Sequence, residues 1–220
     1  MGVRSEEGAE KYSLKISCIV LAGGKGLRLG RDKTAETIGN ISLLQWVINS
    51  LSSFNCDIII VTTIERSFYQ FGSYPRLRIV TDTYPDKGPL GGIFTGLVAS
   101  DSLCNLVVAC DMPLLNQELL RYMMQFSPDF DLVVPRLGNM VEPLHAIYSR
   151  NCLTHIEYLL KQGSLEVRRL FDLVRVRYVD ADEINRFDPR RLSFFNINTE
   201  ADLERARKLF RGTILLNDKR

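Results

Sequence analysis

A run of glycines and cationic side chains directly follows an apolar segment near the start of the chain. Residues 16–33 read ISCIVLAGGKGLRLGRDK. Glycine admits backbone conformations that are closed to other residues, so several N–H groups of such a run can converge on one anion. Lys25, Arg28, Arg31 and Lys33 add positive charge around it. The pattern predicts a cradle for a polyphosphate at the end of a buried strand.

Two familiar phosphate motifs do not fit this segment. A Walker A loop requires Gly-Lys followed by Ser or Thr, whereas Gly30 is followed by Arg31 and Asp32. The dinucleotide fingerprint requires Gly-x-Gly-x-x-Gly, and the spacing from Gly24 through Gly26 to Gly30 is one residue too long. The alternative to a phosphate cradle is a strand-to-helix turn with a solvated basic face.

Asp111 is the candidate metal ligand. It follows the apolar segment Leu106 to Cys110, and ligands of open α/β sheets bind at the carboxyl edge of the strands. Mg²⁺ is held by one or two carboxylates together with substrate phosphates and waters, so one aspartate beside a bound triphosphate suffices. Taken alone, Asp111 could equally cap the turn formed with Met112 and Pro113. The glycine loop favours the metal.

Asp82 is the candidate nucleoside contact. It ends a short extended segment and precedes a loop of turn-forming residues, 83–92, whose last glycines are expected to open a helix at Gly91. The loop includes Gly88 and should lie over the same edge of the sheet. Asp82 can accept a hydrogen bond from a ribose hydroxyl or a base, or it can serve only the turn.

A further group of polar residues is a candidate for a second substrate pocket. Glu142 and His145 lie beside the start of a strand, and Asn196 and Asn198 share one face of a strand expected from Phe194 to Asn198. His145 could serve as an acid or base, but a lone histidine is more often structural. Nucleotidyl transfer does not require a protein base, because a phosphate oxygen is already an anionic nucleophile. The two asparagines either line the pocket or hold the turn.

Elements that position these residues alternate along the chain. Apolar β-branched runs and helical 3.6-residue patterns follow one another, which predicts an α/β fold: a Rossmann-like three-layer α/β/α sandwich with a mainly parallel sheet. One domain should span 14–211, with a flexible N-terminal extension at 1–13 and a polar C-terminal tail at 212–220. Thr199 should begin the last helix, with Asp202 in a capping box.

Composition argues against several classes of partner. The chain has 220 residues and a formal net charge of +2, too small to indicate nucleic acid or an anionic membrane as a partner. No apolar run approaches the length that spans a bilayer. The five cysteines include no Cys-x-x-Cys pair, which is typical of buried, reduced thiols in a cytoplasmic protein.

Four motifs in order resemble the molybdenum cofactor guanylyltransferase family, also called molybdopterin-guanine dinucleotide biosynthesis protein A, which has the nucleotide-diphospho-sugar transferase fold. They cover nearly the whole chain: Leu21-Ala22-Gly23-Gly24 with Arg28, Gly30, Asp32 and Lys33; Gly88-Pro89-Leu90 with Gly92; Cys110-Asp111-Met112-Pro113; and Asn196-Ile197-Asn198-Thr199.

The resemblance implies a transfer of GMP from GTP to the terminal phosphate of molybdopterin or Mo-molybdopterin, with release of pyrophosphate. It implies that Leu21, Ala22, Gly23 and Gly24 contact the nucleotide, as do Asp82, Gly88 and the position of Thr62. It further implies that Lys33 and Arg28 neutralise phosphate charge and that Asp111 holds Mg²⁺. Molybdenum insertase and molybdoenzyme chaperones are the implied protein partners.

Two features bear on specificity. Relatives often carry Asn where this chain has Thr62, and a hydroxyl cannot reproduce the two-sided hydrogen bonding of an amide. Related cytidylyltransferases commonly read Leu-Ala-Ala-Gly, so Gly23 favours guanine because the missing methyl makes room for a purine. Alternatives are a cytidylyltransferase for the same pterin, a guanylyltransferase for another phosphorylated acceptor, or a non-catalytic nucleotide-binding module that delivers the cofactor.

Overall fold

Ten strands and six α-helices make up the described part of the computed structural model, residues 15–23, 36–63 and 74–217, with the side chains of 211–217 excepted. The strands are β1 (Ile16–Leu21), β2 (Thr37–Ile38), β3 (Ile41–Ser42), β4 (Asp57–Thr62), β5 (Leu77–Thr81), β6 (Cys104–Ala109), β7 (Leu132–Leu137), β8 (Met140–Val141), β9 (His145–Ser149) and β10 (Val176–Asp180). The helices are α1 (Leu43–Ser52), α2 (Gly88–Ala99), α3 (Gln117–Met124), α4 (Cys152–Lys161), α5 (Ala181–Ile184) and α6 (Glu200–Asn217).

One large sheet forms the middle layer of the fold. Its strand order is β10-β7-β9-β6-β1-β4-β5, and β8 pairs with β7. β6, β1, β4 and β5 run parallel, and β9 is antiparallel to both of its neighbours. Helices α1 and α3 pack on one face of the sheet, and α2 and α4 pack on the other. The prediction of a three-layer sandwich with a mainly parallel sheet is confirmed.

The central strands are apolar on both faces because both faces are covered by helices. Along β1, Cys18 and Val20 join the core under α1 and α3, whereas Ile19 and Leu21 join the core under α2 and α4. The apolar runs of the sequence therefore identify the strands. They do not reveal which side chain faces which layer.

Helix α2 starts earlier than expected and lies close to β1. It begins at Gly88, not at Gly91, because Pro89 fits the first turn of a helix, where no N–H is needed. Gly96 makes the close approach possible, since a Cβ atom there would lie 2.4 Å from Cγ2 of Ile19. The start of α2 is thereby brought towards the carboxyl end of β1.

The strand expected from Phe194 to Asn198 is wrong. Residues 192–194 form a 3-10 turn, and the chain then runs to Asn198 without regular structure. The Asp188 carboxylate holds the turn by accepting from the N–H groups of Leu192 (3.0 Å) and Ser193 (2.8 Å). These hydrogen bonds therefore stabilise a turn in place of the extended strand that the apolar residues favour.

Helix α6 begins as predicted. Thr199 Oγ1 accepts from the Asp202 N–H at 3.1 Å, and Asp202 accepts in return from the Thr199 N–H at 2.9 Å. The helix continues to Asn217, into the segment expected to be a polar tail. Like the other helices within the described residues, it is not apolar over a length that would cross a bilayer.

Candidate active site at the carboxyl edge of the sheet

The predicted ligand-binding positions lie at the ends of neighbouring strands. Asp111 comes two residues after β6, Gly23 two residues after β1, and Asp82 directly after β5. In the strand order β6-β1-β4-β5, the glycine position lies between the two carboxylates. At a strand spacing of about 4.8 Å, β6 and β5 are about 14 Å apart. An extended nucleotide could reach from one carboxylate to the other.

The two carboxylate oxygens of Asp82 have different surroundings. One accepts hydrogen bonds within the protein, and the other is directed towards α2. Oδ1 accepts from the Tyr84 N–H at 2.9 Å and from the Thr95 hydroxyl at 2.9 Å. The Thr95 proton is committed to Asp82, so in the 2.9 Å pair between Thr95 and Thr83 the Thr83 hydroxyl donates. These bonds hold the carboxylate in one orientation. A sequence pattern could not identify Thr95, which lies 13 residues further along the chain.

Gly92 leaves room beside the second oxygen of Asp82. A Cβ atom at Gly92 would lie 3.2 Å from a Leu21 methyl carbon and 3.9 Å from Asp82 Oδ2. The glycine thus keeps open a small space between the end of β1 and the carboxylate. Gly88, at the exposed start of α2, has a positive φ of 60°, a conformation that glycine adopts without strain.

Thr62, expected to contact the nucleotide, lies inside the protein and not on the open edge. Its side chain is 2% exposed, and its hydroxyl oxygen has no hydrogen-bond partner among the described residues. The alternation of β4 turns it towards the layer of α1. Thr63 is the half-buried neighbour of Gly23: its Cγ2 lies 4.0 Å from where a Gly23 Cβ would be. Sequence analysis did not single out Thr63.

Asp111 is half-buried at the end of β6. Its backbone carbonyl accepts from the Ile197 N–H at 2.9 Å, which ties the segment containing Asn196 and Asn198 to the metal candidate. Within the described residues no group of three or more His, Cys, Asp or Glu side chains forms a metal site. A single carboxylate suits a cation that takes its other ligands from phosphate and water, as Mg²⁺ does.

The residues expected to bind the acceptor gather on the far side of Asp111. β9 is antiparallel to β6, so its first residues lie at the carboxyl edge, where the Ala109 N–H donates to the Leu144 carbonyl at 3.2 Å. Glu142 is half-buried just before this point, and burial raises the pKa of its carboxyl. Asn196 and Asn198, both half-buried, flank Ile197. Glu142 and the asparagines are thus brought to the same end of β6.

His145, a candidate for the second substrate pocket, is part of the core. Its side chain is 0% exposed, and neither ring nitrogen has a hydrogen-bond partner among the described residues. The ring packs edge-on against Phe194, with centroids 5.0 Å apart. Burial lowers the pKa of His145 to about 4, and the charge of Asp188 opposes this only in part. His145 therefore supports the 192–198 segment from beneath as a neutral ring.

Acidification is expected to destabilise the protein through His145. Below its usual pKa of 6.5 the unfolded chain binds a proton that the folded protein refuses until about pH 4, so stability falls across this window as the pH is lowered. The loss of unfolding free energy from this residue between pH 7 and pH 5 is about 2 kcal/mol.

Urea unfolding at both pH values should show that the stability of His145→Phe has a shallower pH dependence than that of the wild type. His155→Gln, on the half-exposed other histidine, should keep the wild-type slope; equal slopes in all three proteins would exclude a buried neutral His145.

Several predicted site residues lie outside the described residues. These are Gly24, Arg28 and Lys33, together with the other residues of the 24–35 segment. The described part of the loop is its start, where Leu21 and Ala22 are buried and Gly23 is exposed. The Ala22 N–H donates to the Val61 carbonyl at 2.9 Å and so extends the pairing of β1 with β4 by one residue.

Comparison with known proteins agrees with this fold. Residues 18–180 match the family model described as the MobA-like NTP transferase domain. The probable molybdenum cofactor guanylyltransferase of Pelotomaculum thermopropionicum is 36% identical over 194 residues, which cover 88% of this chain and 93% of that protein. The probable molybdenum cofactor guanylyltransferase of Methanosarcina mazei is 34% identical, with 93% and 95% covered.

A solved structure shares the fold over nearly its entire length. The crystal structure of molybdopterin-guanine dinucleotide biosynthesis protein A from Archaeoglobus fulgidus superposes with a TM-score of 0.77 at 27% identity, covering 89% of this chain and 99% of that one. Fold and sequence together define an enzyme of the nucleotidyltransferase class. The chain belongs to the MobA-like family that contains the molybdenum cofactor guanylyltransferases.

Proposed function

We propose that the protein transfers GMP from GTP to the terminal phosphate of molybdopterin, or of Mo-molybdopterin, in a reaction that depends on Mg²⁺. An oxygen of the pterin phosphate attacks the α-phosphorus of GTP, the bond from this phosphorus to the β-phosphate oxygen breaks, and pyrophosphate leaves. The observation that carries the proposal is the placement of Asp82 and Asp111 at strand ends on opposite sides of Gly23. The names of the relatives support the choice of substrates.

Asp82 and the start of the glycine loop are proposed to bind the nucleoside. The oriented second oxygen of Asp82 can accept from a ribose hydroxyl or a base N–H in the space kept open by Gly92. The backbone from Leu21 to Gly24 then lies beside the base and the phosphates. Lys33 and Arg28 are proposed to neutralise triphosphate charge, which is how this chemistry is usually accelerated.

Asp111 is proposed to hold Mg²⁺ against the triphosphate. Its half-buried carboxylate at the strand end fits a cation with one protein ligand and several phosphate and water ligands. The bound ion would neutralise charge that develops on the phosphate oxygens during an in-line displacement. Asp111 also links the two substrates, because its carbonyl anchors the Asn196-Ile197-Asn198 segment on the acceptor side.

The acceptor pocket is proposed to lie between Glu142 and the two asparagines. Side-chain amides can donate to a pterin or a phosphate and accept from a pterin N–H. Glu142 is the one acidic group among these three side chains, and burial raises the pKa of its carboxyl. His145 contributes by packing beneath Phe194 and not by contact with the acceptor.

The proposed surroundings follow from the proposed reaction. We assign the enzyme to the cytoplasm, where its five free, buried cysteines remain reduced. A molybdenum insertase and molybdoenzyme chaperones are the proposed protein partners. The insertase handles the substrate of the proposed reaction, and the chaperones handle its product.

The test is pyrophosphate release by the purified protein with Mg²⁺, molybdopterin and either GTP or CTP. Formation of the guanine dinucleotide with GTP is the expected result. A preference for CTP would overturn the guanine assignment, and turnover with another phosphorylated acceptor but not with molybdopterin would overturn the acceptor. Nucleotide binding without turnover would favour the non-catalytic delivery module.

Gly23→Ala is expected to lower the selectivity for GTP over CTP by about 10-fold, the usual effect of one added methyl group in a pocket. The described part of the protein has room for the methyl group, because its nearest atom, Thr63 Cγ2, would be 4.0 Å away and Gly23 does not have a positive φ. Thermal unfolding of the variant should therefore match the wild type. The ratio of kcat/KM values for the two nucleotides is the measurement; an unchanged ratio would remove Gly23 as the determinant of base choice.

A further inference from the structure

Two cysteines meet at the end of the sheet opposite the candidate active site. Cys18 lies on β1 and Cys56 directly precedes β4, and their Sγ atoms are 3.2 Å apart. Cys18 is 0% exposed and Cys56 is 8% exposed. The pairing of β1 with β4 places Cys18 opposite Ile58, so Cys56 lies two residues nearer to the amino end of β4. The contact joins two central strands of the fold.

A surface cavity of about 510 Å³ borders one member of this pair, Cys56. Its lining includes Cys56 and the cationic side chains of Lys15 and Arg76. Lys15 is largely exposed and lies 4.0 Å from Asp57, and Arg76 donates to the Asn55 carbonyl at 2.6 Å. Asp57 also lines the cavity, so its charge is mixed, and what the cavity provides is access of small solutes to the Cys56 thiol.

Access to the cavity distinguishes the chemical roles of the two thiols. Cys56 lines the cavity and Cys18 does not, and the contact with Cys56, followed by burial, raises the pKa of Cys18. Burial raises the pKa of Cys104, and it raises the pKa of Cys152 to about 12. Cys56 is therefore the nucleophile of the pair, and Cys18 supplies the second sulfur.

We propose that Cys18 and Cys56 form a reversible dithiol–disulfide site, which hydroperoxides oxidise through the cavity at Cys56. In the first step the Cys56 sulfur attacks a peroxide oxygen, the O–O bond breaks, and a sulfenic acid and water, or an alcohol, are formed. In the second step the Cys18 sulfur attacks the Cys56 sulfur, the S–O bond breaks, and the oxygen leaves as water with the Cys18 proton. Two electrons pass from the thiols to the peroxide.

The second step requires the two sulfur atoms to move closer together. A disulfide requires an S–S distance of about 2.05 Å, so the sulfur atoms must approach by about 1 Å. Both residues lie in the same layer of the core, Cys18 on β1 and Cys56 at the residue before the neighbouring strand β4. The proposal does not depend on the reaction catalysed at the other edge of the sheet.

Hydrogen peroxide and intact-mass analysis of the folded, reduced protein test the site. The expected result is a loss of about 2 Da, the mass of two hydrogen atoms, that a dithiol reductant reverses. Peptide mapping under non-reducing conditions should recover the Cys18 and Cys56 peptides as one species. A wild-type protein that keeps its mass, or a cross-link that maps to other cysteines, would overturn the proposal.

Three variants sharpen the test. Cys18→Ala should stop at the sulfenic acid, trapped on Cys56 by a dimedone probe, and Cys56→Ala should show neither the trapped adduct nor the mass loss. Cys104→Ala is the matched control, because Cys104 is equally a buried strand cysteine, and it should form the cross-link as the wild type does. If a variant does not fold, differential alkylation of wild-type Cys18 and Cys56 before and after peroxide gives the same answer.

Discussion

Asp111→Asn is expected to lower the rate of pyrophosphate release by about 10³-fold or more while the fold persists. The amide keeps the size of the side chain and removes the negative charge that we propose holds Mg²⁺. The backbone carbonyl that accepts from Ile197 is unchanged, so the 192–198 segment should stay in place. Single-turnover rates at saturating GTP and Mg²⁺ are the measurement, with circular dichroism as the check on folding.

Asp101→Asn is the matched control for this variant. Asp101 precedes β6, at the opposite end of the strand from Asp111, and its exposed carboxylate pairs with Arg78 at 3.2 Å. The same loss of charge there should leave the rate within a factor of about two, because exposed ion pairs contribute little. Full activity of Asp111→Asn would remove Asp111 as the metal ligand.

Asp82→Asn is expected to raise the KM for GTP by about 10- to 100-fold, since a hydrogen bond to a charged group contributes about 1.5–3 kcal/mol. The substitution distinguishes the role of one carboxylate oxygen from the role of the other. The side-chain oxygen of Asn can still accept from the Tyr84 N–H and the Thr95 hydroxyl, so the loop should keep its structure. The NH₂ group then replaces the oxygen that faces Gly92 and turns an acceptor into a donor.

Asp86→Asn controls for the charge of the same loop. Asp86 is exposed and has a positive φ of 67°, a conformation that Asn also tolerates. Its substitution should leave the KM for GTP near the wild-type value. A KM for Asp82→Asn equal to that of the control would assign Asp82 to the turn alone, the alternative that the sequence left open.

Much of the fold and part of the candidate site are predictable from the sequence because they depend on local patterns. Apolar runs predict β1, β4 and β6, and the Thr199 capping box predicts the start of α6. Asp82 and Asp111 are predicted at strand ends, and the rule that parallel strands end at one edge brings them together. The family resemblance of the four motifs is likewise carried by consecutive residues, and the comparisons confirm it.

The facing of individual side chains was decided by the tertiary structure. A strand covered on both faces has no polar alternation, so the sequence could not show that Thr62 is buried and that Thr63 lies beside Gly23. His145 became a core residue because the 192–198 segment covers it with Phe194, a contact across 49 residues of chain. The expected strand at 194–198 failed for the same reason, because the Asp188 carboxylate holds the turn at 192–194 and the Asp111 carbonyl accepts from the Ile197 N–H.

The sequence by itself therefore determined the class of the fold, the family and the positions of Asp82 and Asp111 at strand ends, all of which are written in short consecutive motifs. The tertiary structure decided which residues can reach a ligand, because burial and hydrogen bonding depend on segments far apart in the chain. The hydrogen bond from Thr95 orients Asp82, and Thr62 and His145 lie in the core. The Cys18 and Cys56 sulfur atoms lie 3.2 Å apart.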